Sequence, residues 1–131
     1  MRIVPAVDAL SAPFWQAARD HRLAVQACED CGALQHPPAP LCRSCHGGRL
    51  AFRPVSGRGT LYAFTVVHHS VHPATVDKVP YVLALVQLDE GPRLAADVVD
   101  CPFDDLAVGM ALDAVYDDVS DGVALVQFRP A

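Results

Sequence analysis

Two Cys-x2-Cys pairs, Cys28 with Cys31 and Cys42 with Cys45, separated by ten residues, constrain this chain more than any other feature in it. The segment around them, 28–53, also holds three closely spaced prolines (Pro37, Pro38, Pro40) and a Gly47-Gly48 turn. It shows neither helical nor strand periodicity, so it has no apolar face with which to bury a core of its own. A metal ion supplies the missing cohesion. Zinc takes four thiolates at tetrahedral corners, about 2.3 Å from each sulfur, and one Cys-x2-Cys bend provides two of those corners. Gly32 after the first pair, and Gly47 and Gly48 after the second, allow the left-handed backbone such bends use. Four cysteines fill the coordination sphere and leave no open position, so the expected Zn2+ is structural, not catalytic.

The competing uses of four thiols are disulfides, a redox dithiol and an iron–sulfur cluster. A redox dithiol belongs beside a βαβ pattern, which the chain lacks. Disulfides belong to oxidising compartments. The opening residues, Met1-Arg2-Ile3-Val4-Pro5, lack the apolar run of a signal peptide, and the chain is expected to be cytoplasmic. His36 and His46 are near enough in sequence to replace a thiolate. Cys101, beside Pro102, sits in no motif and reads as a small buried apolar residue.

A length of 131 residues suits one domain, or one domain with a small appended module. With 52% hydrophobic and 19% charged residues, the chain can bury a core and does not have a disordered composition. No apolar stretch of about 18 residues exists, so no membrane span is expected. The net charge of −5, with 15 acidic against 10 basic residues and Lys78 as the single lysine, argues against nucleic acid as a partner. Arg43, Arg49, Arg53 and Arg58 still make the middle of the chain locally basic.

Three segments follow. Residues 1–27 read as an arm and a helix, with Ser11 as N-cap, Pro13 in the first turn, and Phe14, Ala17, Ala18 and Val25 on one face over 13–27. Phe14 and Trp15 either dock this helix on the chain's own body or present it to a partner; a peripheral tryptophan is a typical interface anchor. Residues 28–53 form the zinc ribbon. Residues 54–131 read as all-β, with strands over 60–67, 81–88, 93–99, 111–116 and 123–128, a hairpin turn at 89–92, a helical turn at 103–106 and a second hairpin turn at 117–122. Five short strands with a small insertion between the third and fourth match a five-stranded Greek-key barrel of the OB type, with a small sandwich as the alternative. The expected architecture is therefore mainly β: an N-terminal helix, a zinc ribbon, then the barrel.

The order of motifs resembles the DUF35 proteins, rubredoxin-like zinc ribbons fused to an OB-fold. It runs from Phe14-Trp15 through Leu23 before Cys28-x2-Cys31-Gly32, then Pro37-Pro38 before Cys42-x2-Cys45. It continues with Gly57-x-Gly59, Thr65-Val66-Val67, Pro80-Tyr81, Leu88-x-Glu90-Gly91, Leu106-x-x-Gly109-Met110 and Phe128-x-Pro130. One departure is Ala39, where the family often has arginine after the two prolines. The resemblance implies a non-catalytic accessory subunit that binds a thiolase-like enzyme, thiolase or side-chain aldolase, acting on acyl-CoA. A MaoC-like hydratase is a further implied partner. On this reading Arg43, Arg49, Arg53 and Arg58 become candidates for the phosphates of CoA.

The residues outside these motifs carry little chemistry. There is no GxSxG elbow, P-loop or GxGxxG, and Gly57-Arg58-Gly59 reads as the turn from ribbon into barrel. His68, His69 and His72 cluster after the first barrel strand, in a loop that OB-folds often use for ligands. The loop 68–80 with Tyr81 is the candidate ligand or partner edge, although a solvated polar loop explains it as well. Asp117, Asp118 and Asp121 read as a hairpin turn rather than a cation loop. Tyr62 and Phe64 are expected on one strand face, as core or as stacking groups. Two other functions stay open at this point: an OB-fold nucleic-acid binder, and an autonomous enzyme using the histidine loop.

Overall fold

The computed structural model describes residues 4–73 and 76–131, so part of the expected 68–80 loop and the first three residues lie outside it. The N-terminal helix α1 spans Ala12–Arg19, much shorter than the periodicity predicts. The chain turns at Asp20-His21-Arg22, with His21 at a φ of 58°. The residues after the turn, Leu-Ala-Val-Gln-Ala-Cys, form strand β1 (Leu23–Cys28), and all six are buried. A helix would bury only one stripe of this run, whereas a strand flanked on both edges buries every residue and satisfies both rows of backbone groups. Ser11 occupies the N-cap position, but its hydroxyl donates to Asp8 Oδ1 at 2.8 Å and makes no cap bond.

β1 is the centre of a three-stranded antiparallel sheet, with β2 (Leu34–Gln35) on one side and β3 (Leu50–Val55) on the other. The second sheet holds β4 (Arg58–Val67), β5 (Tyr81–Leu88), β6 (Arg93–Ala96), β7 (Ala111–Ser120) and β8 (Val123–Pro130) in the order β6-β5-β4-β7-β8. All its neighbours are antiparallel. The sheet curls until its two ends meet at one parallel bridge between Val98 and Phe128. There Val99 N–H donates to Phe128 O at 2.8 Å and Phe128 N–H donates to Asp97 O at 2.9 Å. This is the partly open Greek-key order of an OB barrel. A 3-10 turn, Phe103–Asp105, fills the connection between the third and fourth barrel strands.

Two local details differ from expectation. The last hairpin is tighter than 117–122: β7 runs to Ser120 and β8 starts at Val123, so Asp117 and Asp118 are strand residues. A register shift between Asp118 and Ser120 accommodates the tighter turn. In β4 a bulge between Leu61 and Ala63 places one extra residue on the strand. A bulge breaks the alternation of faces. Tyr62 therefore points outward, 47% exposed, while Phe64 packs against the core, and the two do not share a face.

One apolar cluster joins α1, β1 and the barrel. Phe14 from α1 and Leu23 and Val25 from β1 pack with Leu61, Val86, Leu88, Leu112 and Phe128 of the barrel. Each such fully buried aliphatic or aromatic side chain contributes about 1.5–3 kcal/mol relative to exposure. The ribbon enters the barrel through Gly57-Arg58-Gly59. A Cβ on Gly59 would lie 2.5 Å from the Gln87 carbonyl oxygen, so only glycine lets β4 approach β5 this closely.

Candidate metal centre

β1 delivers Cys28 at its C-terminal end, where Cys28 N–H donates to Ala33 O and Gly32 N–H donates back to Cys28 O, both at 2.9 Å. This closes the first knuckle. In the second, Cys42 N–H donates to Gly47 O at 2.9 Å and His46 N–H to Cys42 O at 2.8 Å. The left-handed residue here is His46, at a φ of 63°, and not a glycine. Gly47 is needed for space: a Cβ there would lie 2.9 Å from an Asp30 carboxylate oxygen and 3.2 Å from Cys45 Sγ. Asp30 ties the knuckles together by pairing with Arg49 at 2.6 Å.

The four sulfurs converge. Cys28 and Cys45 Sγ are 3.6 Å apart, as are Cys31 and Cys42 Sγ, and all four lie within 4.8 Å of one another. A tetrahedral ion with bonds of about 2.3 Å requires sulfur separations of about 3.8 Å. The backbone N–H groups of Cys45 and Ser44 hold the Cys42 thiol down at about 6. Cys45 is pushed up to about 12, because the lowering by Gly47 N–H is outweighed by the neighbouring thiols of Cys28 and Cys31. Four thiolates this close repel one another unless a cation sits among them. The donor set therefore fits structural Zn2+, bound as four thiolates with their N–H···S supports. Among the described residues no other group of three or more His, Cys, Asp or Glu side chains converges in this way.

The spacing of the second knuckle from the first depends on two buried glutamines that the sequence reading passed over. Gln26 of β1 and Gln35 of β2 are 3% and 7% exposed. Gln35 Nε2 donates to Gln26 Oε1 at 2.6 Å, and Gln26 closes a pair of bonds with the Ala39 backbone at 2.9 and 3.0 Å. Gln35 Oε1 accepts from Arg43 N–H at 2.9 Å, beside Cys42. The proline strap 36–43 is thus stitched to the sheet by side-chain amides, because its prolines cannot donate to a ladder. The only signal available was two glutamines in an otherwise apolar strand environment.

Phe14 is 7% exposed and meets Trp15 edge-on at 5.0 Å and His36 at 5.1 Å between ring centroids. It is spent on the chain's own core. Trp15, half-buried, lines an apolar groove of about 390 Å³ between α1, the 36–38 strap and strands β6 and β8. His36 is not among the converging donors: its Nδ1 is buried without a hydrogen-bond partner, and burial, aided by Arg43, lowers its pKa to about 4. His46 is exposed at the rim of the second knuckle.

The remaining candidates are spread over the surface. His68, His69 and His72 are exposed in the β4–β5 loop, and Tyr81 opens β5 opposite Val67. Arg43 Nη2 donates to Pro37 O at 2.9 Å and Arg49 pairs with Asp30, so both serve the ribbon's own contacts. Arg53 is exposed on β3, and Arg58 opens β4 opposite Asp113. Cys101 is half-buried beside the core. Among the described residues no helix is long and apolar enough to cross a membrane.

Comparison with known proteins gives two family matches: "ChsH2, rubredoxin-like zinc ribbon domain" over residues 15–51 and "ChsH2, C-terminal OB-fold domain" over 52–117. A probable enoyl-CoA hydratase alpha subunit of Thermomonospora curvata is 36% identical over all of this chain, which spans 40% of that protein's length. A DUF35 domain-containing scaffold protein of Methanocaldococcus jannaschii is 36% identical over 78% of this chain and 75% of its own. The benzoylsuccinyl-CoA thiolase subunit BbsA of Thauera aromatica is 31% identical over 78% and 70%. Among solved structures, a chain of the Ltp2-ChsH2(DUF35) aldolase matches with a TM-score of 0.86 and 36% identity, over 96% of this chain and 98% of that one.

Proposed function

This chain belongs to the DUF35 family, in which a ChsH2-type zinc ribbon is joined to an OB-fold, and from that premise we propose that it is a non-catalytic accessory subunit of a thiolase-like enzyme, a thiolase or an aldolase, acting on acyl-CoA. The observation that carries this reading is the near-complete match to a chain of the Ltp2-ChsH2(DUF35) aldolase at 36% identity. The relatives' names point the same way, to subunits and scaffolds of CoA-ester enzymes. The chemistry of the chain supports it. The four-cysteine set closes the coordination sphere and offers no open position to a substrate. The zinc then serves rigidity: it fixes the ribbon beside α1 and the barrel, so that one shaped surface is offered to the enzyme.

Trp15 is the partner anchor on α1, at the edge of the groove against the barrel. Acyl-CoA contact, a MaoC-like hydratase as second partner and a cytoplasmic location are finer points of the same reading. The test is co-expression with a thiolase-like or aldolase chain from the same genome, followed by size exclusion and light scattering. A joint peak with one zinc per copy of this chain is expected. Separate elution of the two chains at micromolar concentration rejects the accessory role.

A further inference from the structure

The strand β5 reads Tyr-Val-Leu-Ala-Leu-Val-Gln-Leu, apolar on its inward face and, up to Gln87 at its end, on its outward face too. In an antiparallel sheet with one face in water, the outward positions are normally polar; a run apolar throughout belongs to a strand covered on both sides. Val82, Ala84, Val86 and Leu88 point into the barrel and are buried. Leu83 and Leu85 point the other way, and Leu83 is 50% exposed. The outward neighbours continue the pattern. Leu83 stands opposite Thr65, and Leu85 stands between Ala63 and Ala95, around a shallow hollow.

The bulge in β4 adds to this face. Tyr62 follows the buried Leu61 and points outward, and the inserted residue leaves Ala63 outward as well, opposite Leu85. Arg93 lies over the Tyr62 ring at 3.8 Å and donates from Nε to Gln87 Oε1 at 2.8 Å. Tyrosine and arginine are the residue types that dominate interface hot spots. None of the chain's 15 acidic residues falls in β4, β5 or β6. Arg93 has no acidic partner among the described residues.

We propose that the outward face of β4, β5 and β6, centred on Leu83 with Tyr62 and Arg93 at its margin and bordering the Trp15 groove at Ala95, is part of the surface on which the thiolase-like or aldolase subunit docks. This rests on the accessory-subunit reading above and names the surface that reading needs. The occupant presents an apolar patch with a carboxylate placed to meet Arg93. A second copy of this chain fits poorly, because two copies would bring net charges of −5 together around the face. At strand spacings of about 3.3 Å along and 4.8 Å across, the apolar face measures roughly 300–400 Å². A stable interface buries about 800 Å² on each partner, so the face is the apolar centre of a wider contact with the enzyme.

The experiment compares Leu83→Glu, the milder Leu83→Thr and a control, Val108→Glu, at a 67% exposed position outside this face. Each, with the wild-type protein beside it, is titrated against a thiolase-like or aldolase chain from the same genome. L83E is expected to weaken the complex by roughly 30-fold or more, as loss of a central contact does. Its zinc content and thermal midpoint stay at wild-type values, and V108E binds normally. If L83E does not fold, a folded L83T must weaken the complex by about fivefold. Binding by the folded variant within about threefold of wild type overturns the docking face and leaves the accessory role standing. Failure of the wild-type pair to associate overturns the accessory role, and this face with it. A wild-type dimer that L83E dissociates without loss of enzyme binding assigns the face to a second copy and overturns the proposal.

Discussion

The ribbon and the barrel solve the same problem, holding a short chain in one conformation, by opposite means. The barrel does it with apolar burial: Leu61, Leu88, Leu112 and Phe128 are all 1% exposed or less. The ribbon has few such side chains; Leu34 and Phe52 are only partly buried and Leu41 is 53% exposed. It relies on four converging sulfurs, two buried glutamines and the Asp30–Arg49 pair. Apolar burial is non-directional and tolerates modest change, whereas ligand and hydrogen-bond geometry fails when one member is lost. β1 belongs to both, since it ends on a zinc ligand and places Leu23 and Val25 in the barrel's cluster.

The largest expected effect breaks the comparison at its sharpest point. Cys42→Ser, or removal of zinc by a strong chelator, is expected to take zinc from one equivalent to none. Structural zinc contributes apparent binding energy on the order of 10 kcal/mol, which the ribbon cannot replace. Hydrogen exchange over 28–49 should then lose its protection while β5 keeps most of its own. Equal loss in both regions would show that the two parts fold as one unit.

Next is the barrel. Phe128→Ala empties the fully buried position where the curled sheet closes on Val98 and should cost about 3–5 kcal/mol by denaturant unfolding. Zinc content of the folded fraction should not change. A smaller effect on the ribbon side is Gln26→Ala, which strips a partner from Gln35 and from the Ala39 backbone and leaves buried groups unpaired, at about 1–3 kcal/mol. Because the strap carrying Cys42 is then loosened, zinc affinity measured by chelator competition should fall about tenfold.

The smallest effect concerns His36, on the strap between the two parts. Its folded pKa of about 4 lies below the ordinary histidine value of 6.5, so the unfolded chain binds a proton more readily than the folded one. Stability is therefore full above about pH 6.5 and declines as the pH falls toward 4. His36→Phe removes a buried, unpartnered nitrogen and should flatten that decline while changing stability at pH 7 by under about 1 kcal/mol. Thermal melts of both proteins at matched zinc loading measure the difference.

The parts of the molecule that were legible in the sequence are those whose physics is local. Two Cys-x2-Cys bends carry their own chelate geometry, and turns at 89–92 and 103–106 announce themselves through glycine, proline and acidic residues. The motif order was enough to place the chain among ribbon–barrel proteins. The helix expected over 13–27 illustrates the limit. Its apolar spacing is compatible with a helix, and it becomes a strand from Leu23 because β3, more than twenty residues away, pairs with it. Strand alternation alone puts Tyr62 and Phe64 on one face, and the bulge that separates them exists only once β5 sets the register. Phe14 and Trp15 looked alike as adjacent aromatics, yet helix docking buries the first and leaves the second half-open. The glutamines stitching the strap were unreadable because an amide's partners depend on which loop is folded over it.

By itself, then, the sequence determined the zinc ligands, the order of ribbon and barrel and the family, because covalent spacing and turn chemistry act over a few residues. Only the tertiary structure decided where α1 stops, how Gln26 and Gln35 set the distance between the knuckles, and that β5 is apolar on an uncovered face. Those outcomes rest on strand pairing and burial between residues far apart in the chain, and no local pattern encodes which distant segment will supply the other half of a contact.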